Sequence, residues 1–273
     1  MPRLLLTSLA ILAALYLLLC ATLFFAQRTL IYFPQARAMT PPETLRLAVG
    51  DIELEVSARP HSGPNALIYF GGNAEDVSLN LPDFLAAFPR HALYLMHYRG
   101  FAGSGGTPSQ EALQRDALAL FDHVQAEHSC VAVIGRSLGS SIAVYLASER
   151  PVDRLVLVTP FDSLTEVAVG AMPWVPVRWL LRDRYETHRN AAAIAAPTLL
   201  LTAARDQIVP QARSEALYRA FRPGVATQLT IPKRGHNDIS WSPMYLPALR
   251  GGVCGSRVRG QIAQATFTGL EGG

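Results

Sequence analysis

"VAVIGRSLGSSIAVYLASER", residues 131–150, is the stretch that decides the fold. Four apolar residues, Val131 to Ile134, run into Gly135-Arg136-Ser137-Leu138-Gly139, and a helical pattern follows at once. A serine framed by two glycines thus stands where a buried strand becomes a helix. Small residues on both sides let the backbone turn sharply and lift the side chain above the sheet edge. The helix behind it aims free N–H groups and a positive dipole end at the reacting atoms. A serine hydroxyl becomes a nucleophile when a base takes its proton and donors stabilise the oxyanion. Ser137 is therefore the candidate nucleophile. The bland reading, a glycine-rich turn with an incidental serine, is disfavoured by the strand before it and the helix after it. Ser140 and Ser141 have no glycine frame and read as helix-packing residues.

Similar apolar runs recur on either side: "ALIYFGG", "ALYLMHYRG", "RLVLVTP", "PTLLLTAA" and "ATQLTIP". Runs without alternation suit strands buried on both faces, as in a parallel sheet. Helical patterns lie between them. One opens with Thr107 as N-cap, Pro108 at N1 and Gln110 at N3, and carries Leu113, Ala117, Leu120, Phe121 and Val124 on one face. "QARSEALYRAFR" is another. Alternating strands and helices predict an α/β fold, a mostly parallel twisted sheet with helices on both faces. Ahead of it, "LRLAV" and "IELEVSA" flank Gly50-Asp51, which predicts an antiparallel hairpin. Residues 162–190 carry Pro173, Trp174, Pro176 and Trp179 in a long apolar stretch and read as a small cap between two strands.

An acid and a base are needed at the same sheet edge as Ser137. "PTLLLTAARDQIVP" puts Asp206 in the loop after one strand, and "ATQLTIPKRGHND" puts His236 behind Gly235 after the next. His236 would take the serine proton, and Asp206 would fix the imidazole tautomer and steady its charged form. Asp162, after the intervening strand, is the rival acid, with helix capping as its other reading. Asp238 stands too close in sequence to His236 to face it. Among the remaining histidines His97 comes closest to a post-strand setting and reads as structural. Two backbone N–H groups would form the oxyanion hole: Leu138, after the nucleophile, and Asn73 in "YFGGNAED", where Gly71 and Gly72 permit close approach. Asn73 also reads as the cap of the next helix, with Glu75 and Asp76 in its first turn.

The chain has 273 residues, enough for one large α/β domain, and half of them are apolar. Leu4 to Ala26 carries no charge. At ~1.5 Å per residue it reaches about 34 Å, enough to cross a bilayer core with some tilt. Phe24, Phe25, Tyr32 and Phe33 cluster at its far end, as interfacial aromatics do. A cleaved leader wants a small residue two positions before the cleavage point, where Ala26 would find Phe24 and Ala21 would find Leu19, so an uncleaved anchor is predicted. The resulting division is an anchor over residues 1–27, a proline-containing linker over 28–42, a catalytic domain over 43–250 and a weakly ordered Gly-rich tail over 251–273. Flanking arginines narrowly favour a cytoplasmic catalytic domain. The net charge of +3, with no basic stripe, argues against nucleic acid as a partner. Cys20, Cys130 and Cys254 show no metal-site or disulfide-framework spacing; a Cys130–Cys254 bridge is possible but has no support in the sequence.

Together "YFGGNAED", "YRGFAGSGGTPS", "GRSLGS", "TPFDSL", "RDQIVP" and "GHND", in this order, resemble the α/β-hydrolase superfamily, and within it membrane-anchored, abhydrolase-domain hydrolases of serine aminopeptidase-like type. The resemblance implies Ser137 as nucleophile, Asp206 as acid, His236 as base, Asn73 and Leu138 as oxyanion donors, and a loop Arg99–Pro108 lining the entrance. It implies no metal or cofactor, and a small-molecule or lipid-like acyl substrate, ester or thioester, met near a membrane, with the domain on the periplasmic side of a bacterial inner membrane. An aminopeptidase-like amide hydrolase is the alternative, with Glu75 or Asp162 as amine-binding candidates. A catalytically inactive, membrane-tethered binding module on the same fold is another. Nothing singles out a protein partner. Two departures stand out: Gly71 replaces the histidine usual in relatives, and "YLPALRGG" runs into glycines where relatives carry an apolar helix.

Overall fold

Six apolar runs become the six parallel strands of one eight-stranded sheet. The structure, a computed structural model, describes residues 2–255. After a long helix α1 (Pro2–Ile31) come β1 (Glu43–Val49) and β2 (Ile52–Arg59), an antiparallel hairpin turning at Gly50-Asp51 with Val49 opposite Ile52. Next are β3 (Asn65–Phe70), a 3-10 turn (Val77–Asn80), α2 (Leu81–Ala87), β4 (Ala92–Met96), α3 (Gln110–Gln125), β5 (Cys130–Arg136), α4 (Leu138–Glu149) and β6 (Arg154–Val158). Three short helices, α5 (Leu164–Ala171), α6 (Val177–Leu180) and α7 (Thr187–Ala191), occupy the predicted cap region. The chain finishes with β7 (Thr198–Ala203), α8 (Gln211–Ala220), β8 (Ala226–Ile231), a second 3-10 turn (Ile239–Trp241) and α9 (Tyr245–Gly251).

The strand order is β1-β2-β4-β3-β5-β6-β7-β8, with β2 antiparallel to β4 and every pair from β4 to β8 parallel. Side chains alternate across each strand, so β3 feeds two cores. Ala66, Ile68 and Phe70 pack with Leu113, Phe121 and Ile142 of α3 and α4. Leu67 and Tyr69 pack with Phe84 of α2 and with Tyr245 and Leu249 of α9. Both faces being covered explains why these strands read as unbroken apolar runs.

Several local expectations are corrected. Helix α3 starts at Gln110, not Thr107: Ser109 is extended and its hydroxyl accepts from the Ala112 N–H at 3.3 Å, while the Gln110 side chain accepts from the Tyr185 N–H. The 3-10 turn after β3 is capped by Asp76, which accepts from the Ser78 N–H, and not by Asn73. Helix α1 continues to Ile31, into the stretch read as linker, because its last turn is held by protein contacts: Arg28 pairs with Asp183 at 3.2 Å. Tyr32 is buried against Asp183 and Tyr185 and is no interfacial aromatic. The Arg99–Pro108 loop braces the hairpin and α3: Arg99 makes a buried two-bond pair with Asp116 of α3, the Gly105 N–H donates to the Glu53 carbonyl, and the Ser104 hydroxyl accepts from the Glu55 N–H. At the far end an apolar helix is retained as α9, and Cys130 and Cys254, 124 residues apart, form a disulfide. Residues 256–273, most of the tail read as weakly ordered, lie outside the described residues.

Candidate active site

The strand-to-helix turn between β5 and α4 puts Ser137 at φ +51° and ψ −116°, a sparsely populated backbone region that costs a non-glycine residue about 1–3 kcal/mol. Neighbouring bonds hold it there. Its N–H donates to the Val158 carbonyl at 2.8 Å, and its own carbonyl accepts from the Ser140 hydroxyl at 2.6 Å. The two flanking glycines are required by contact. A Cβ on Gly139 would lie 2.2 Å from the Phe70 carbonyl oxygen, and one on Gly135 would lie 2.3 Å from the Gly139 oxygen. This is the physical content of the glycine frame: the turn can press against β3 only with bare backbone on both sides.

The structure brings Ser137, His236 and Asp206 together. His236 Nε2 lies 2.9 Å from Ser137 Oγ, and His236 Nδ1 lies 2.8 Å from Asp206 Oδ2. The other carboxylate oxygen of Asp206 accepts from the Ile208 and Val209 N–H groups at 2.9 and 2.8 Å, which fixes the carboxylate in place. With Nδ1–H donated to the carboxylate, Nε2 is left as the acceptor for the serine proton. The His236 loop is itself braced, since Asp238 accepts from the Gly235 N–H at 2.6 Å and pairs with Arg234. The bond from Gly235 is the main cause that holds the Asp238 carboxyl below its usual range. Asp162 is engaged elsewhere, accepting from Arg213 at 3.2 Å, and burial pushes its carboxyl up.

One residue that sequence reasoning passed over lies inside the motif. The Arg136 guanidinium donates to the His236 and Asn237 carbonyls, both at 3.3 Å, and stands 3.5 Å from Glu75. Glu75 in turn accepts from the Gly72 N–H, the Tyr69 hydroxyl and the Asn80 amide, each at 2.7 Å. The histidine loop and the loop after β3 are thereby tied to the strand that carries the nucleophile. A signal was present: Arg136 is a charged residue closing an otherwise apolar strand.

Ser137, Leu138 and Asn73 line one cavity of about 290 Å³. Its other walls are apolar: Leu164, Val167 and Ala171 of α5, Val177 and Leu180 of α6, and Leu23, Leu30 and Ile31 of α1. Trp174 and Trp179, expected in the apolar cap, are 58% and 86% exposed and do not line the cavity. No residue from Arg99 to Pro108 lines the cavity, and neither Glu75 nor Asp162 does. Among the described residues no group of histidine, cysteine and carboxylate side chains has the arrangement of a metal site.

Comparison with known proteins bears on the family. A family model described as serine hydrolase (FSH1) matches residues 96–237. The uncharacterized protein Rv2307c of Mycobacterium tuberculosis is 34% identical over 257 residues, covering 86% of this chain and 90% of the relative. The lysophosphatidylserine lipase ABHD12 of Macaca fascicularis is 30% identical over 210 residues, covering 66% of this chain and 52% of the relative. Among solved structures, the esterase Pf2001 of Pyrococcus furiosus superposes with a TM-score of 0.65 at 16% identity, covering 81% of this chain and 97% of the esterase. A hydrolase structure from Agrobacterium vitis gives 0.61 at 18% identity, covering 77% and 95%. The framed serine on its strand-to-helix turn, the sheet order and these matches agree: the chain belongs to the serine hydrolases of the α/β-hydrolase superfamily.

Proposed function

We propose that the protein hydrolyses carboxylic esters or thioesters of apolar acyl groups through an acyl-enzyme. The observation that carries this reading is the hydrogen-bonded series Ser137–His236–Asp206 opening on an apolar cavity. Ser137 Oγ attacks the acyl carbonyl as His236 Nε2 takes its proton, and Asp206 steadies the imidazolium. The oxyanion is received by the backbone N–H groups of Leu138 and Asn73, at the positive end of α4. The imidazolium gives its proton to the leaving alcohol or thiol. Water then enters, loses a proton to His236 and attacks the acyl carbon, releasing the carboxylic acid and restoring Ser137.

The amide-hydrolase alternative needs a carboxylate facing the cavity to hold a free amine. Glu75 and Asp162, the two candidates, are bound to Arg136 and Arg213 and do not line it. An inactive binding module has no use for a strained serine bonded to a fixed imidazole.

We place the protein at a membrane through residues 4–26, the apolar part of α1, which is long enough to cross a bilayer. The Cys130–Cys254 disulfide supports a catalytic domain on an oxidising, extracytoplasmic side, and outweighs the narrow arginine count that favoured the cytoplasm.

The test is labelling by a fluorophosphonate probe in detergent-solubilised membranes. Wild type should label, Ser137→Ala should not, and ester turnover should fall by at least about 10⁴-fold in the variant. Labelling that survives in Ser137→Ala, or a folded wild type that never labels, would sink the assignment.

A further inference from the structure

The cavity beside Ser137 is closed on one side by a helix that the sequence treats only as a tether. Tyr16, Cys20, Leu23, Gln27 and Ile31 lie along one face of α1 at helical spacing. The Tyr16 hydroxyl donates to the Trp174 carbonyl at 3.0 Å. Cys20 is buried. The buried Gln27 amide donates to the Leu180 carbonyl at 3.2 Å, and its oxygen accepts from the Arg182 N–H at 2.7 Å. Where α1 ends, it meets the loop after β3: the Asn73 amide donates to the Ile31 carbonyl at 2.8 Å, and the Phe33 N–H donates to the Asn73 carbonyl at 3.0 Å. A tether needs none of these bonds. A removable leader would leave the cavity open along Leu23, Leu30 and Ile31 and the Asn73 loop unbraced.

We propose that the last third of α1 is a specificity-determining wall of the active site: it stays on the working protein, and Leu23, Leu30 and Ile31 set the length of acyl chain that fits. This rests on the hydrolase reading above. The occupant is an acyl chain drawn from the bilayer. Tyr16, bound to the cap at Trp174, lies about 18 Å along the helix from Arg28, so the cap follows α1 into the depth that the helix crosses. The cavity wall runs from Leu23, inside that span, to Leu30 and Ile31, just beyond it, which sets it at the edge of the lipid chains, and the exposed Trp174 and Trp179 belong to the same cap. From Leu23 to Ile31 the wall runs about 12 Å. An extended chain advances roughly 1.2 Å per bond, as a peptide's ~3.6 Å over three bonds shows, so about ten bonds of acyl chain lie against it.

The experiment measures kcat/KM of the full-length protein in detergent on aryl esters of four-, ten- and fourteen-carbon acids. Leu23→Trp should lower the ten-to-four-carbon ratio about tenfold, the worth of roughly two buried methylenes. Leu23→Ala should shift preference the other way, raising the fourteen-to-ten-carbon ratio. Leu17→Trp, on an exposed position that does not line the cavity, should leave both ratios where they were. Intact mass of protein purified from membranes should include α1. If wild type turns over all three esters and neither Leu23 variant moves a ratio, the wall has no such role. An active membrane-purified form that begins after Ile31 would overturn the inference too. A wild type that hydrolyses none of the esters would instead remove the hydrolase reading, and this one with it.

Discussion

Arg136 holds two loops with one guanidinium. It donates to the carbonyls of His236 and Asn237 while facing Glu75, whose carboxylate fixes Gly72 next to the proposed oxyanion donor Asn73. Its part is positioning, since it acts through the loops. Loss of the fork would let the imidazole drift relative to Ser137, and a misplacement near 1 Å costs up to about a hundredfold in rate. Arg136→Met should therefore lower kcat on a short ester by about ten- to a hundredfold with little change in KM, and Arg136→Gln, which keeps a donor, should recover part of the loss. Equal losses in both variants, or an effect confined to KM, would show that the loops stand without it. Ser137, Asp206 and His236 were legible in the sequence because each follows the end of an apolar run, and the fold gathers such ends at one sheet edge. Arg136 was not, because its partners lie on segments far away in sequence. Asn73, expected as an oxyanion donor, lines the cavity beside Ser137, and its side chain serves α1 and not a helix cap.

At the scale of elements, the hairpin β1–β2 is fastened to the parallel strands through a buried histidine. His97, just past β4, sits with its Nε2 2.7 Å from the Ser57 hydroxyl of β2, and its backbone N–H donates to the Glu55 carbonyl. Burial is the main cause that lowers its pKa from 6.5 to about 4; nearby Arg37 adds to this, and Asp76 and Glu55 oppose it. Folded protein thus keeps His97 neutral down to about pH 4, while the unfolded chain takes up a proton below 6.5. In that window the unfolded state binds more protons, so stability falls as pH falls from 6.5 towards 4. The gap corresponds to about 3 kcal/mol in full. Wild type should lose more stability than His97→Asn between pH 7 and pH 4.5 in thermal melts, the variant's slope keeping only the contribution of other groups. Parallel slopes would show that His97 carries none of the dependence. The strands themselves were legible because burial on both faces leaves an unbroken apolar run. Element ends were less so: Ser109 rather than Thr107 caps the start of α3, where the Gln110 side chain is taken by the Tyr185 N–H, and α1 runs on to Ile31, where Arg28 pairs with Asp183, so contacts with distant segments accompany both shifted ends.

Across the whole molecule, one covalent link bears on the proposed placement of the domain relative to a membrane. Cys130 opens the central strand β5 and Cys254 follows α9, so their disulfide ties the last described turn of the chain to the sheet that carries Ser137. No spacing rule predicts a bridge across 124 residues; only the packing of α9 under the sheet brings the two together. A loop of this length removes unfolded-chain entropy worth about 5 kcal/mol in the chain-entropy model. Such bonds are favoured in oxidising compartments, which supports the proposed extracytoplasmic side. Intact cells treated with a membrane-permeant maleimide, then denatured, should leave Cys130 and Cys254 unmodified, and both should react only after reductant. A membrane-impermeant reductant added outside the cells should suffice to expose them. Thiols that react without any reductant would place the domain in a reducing compartment and reverse the proposed orientation. The bridge also carries a consequence for α9, which packs Tyr245 and Leu249 against the core beneath the sheet. Cys254→Ser should lower the melting temperature while leaving fluorophosphonate labelling of Ser137 intact below it, since the bonds that hold His236 come from Asp206, Arg136 and Asp238 rather than from the bridge.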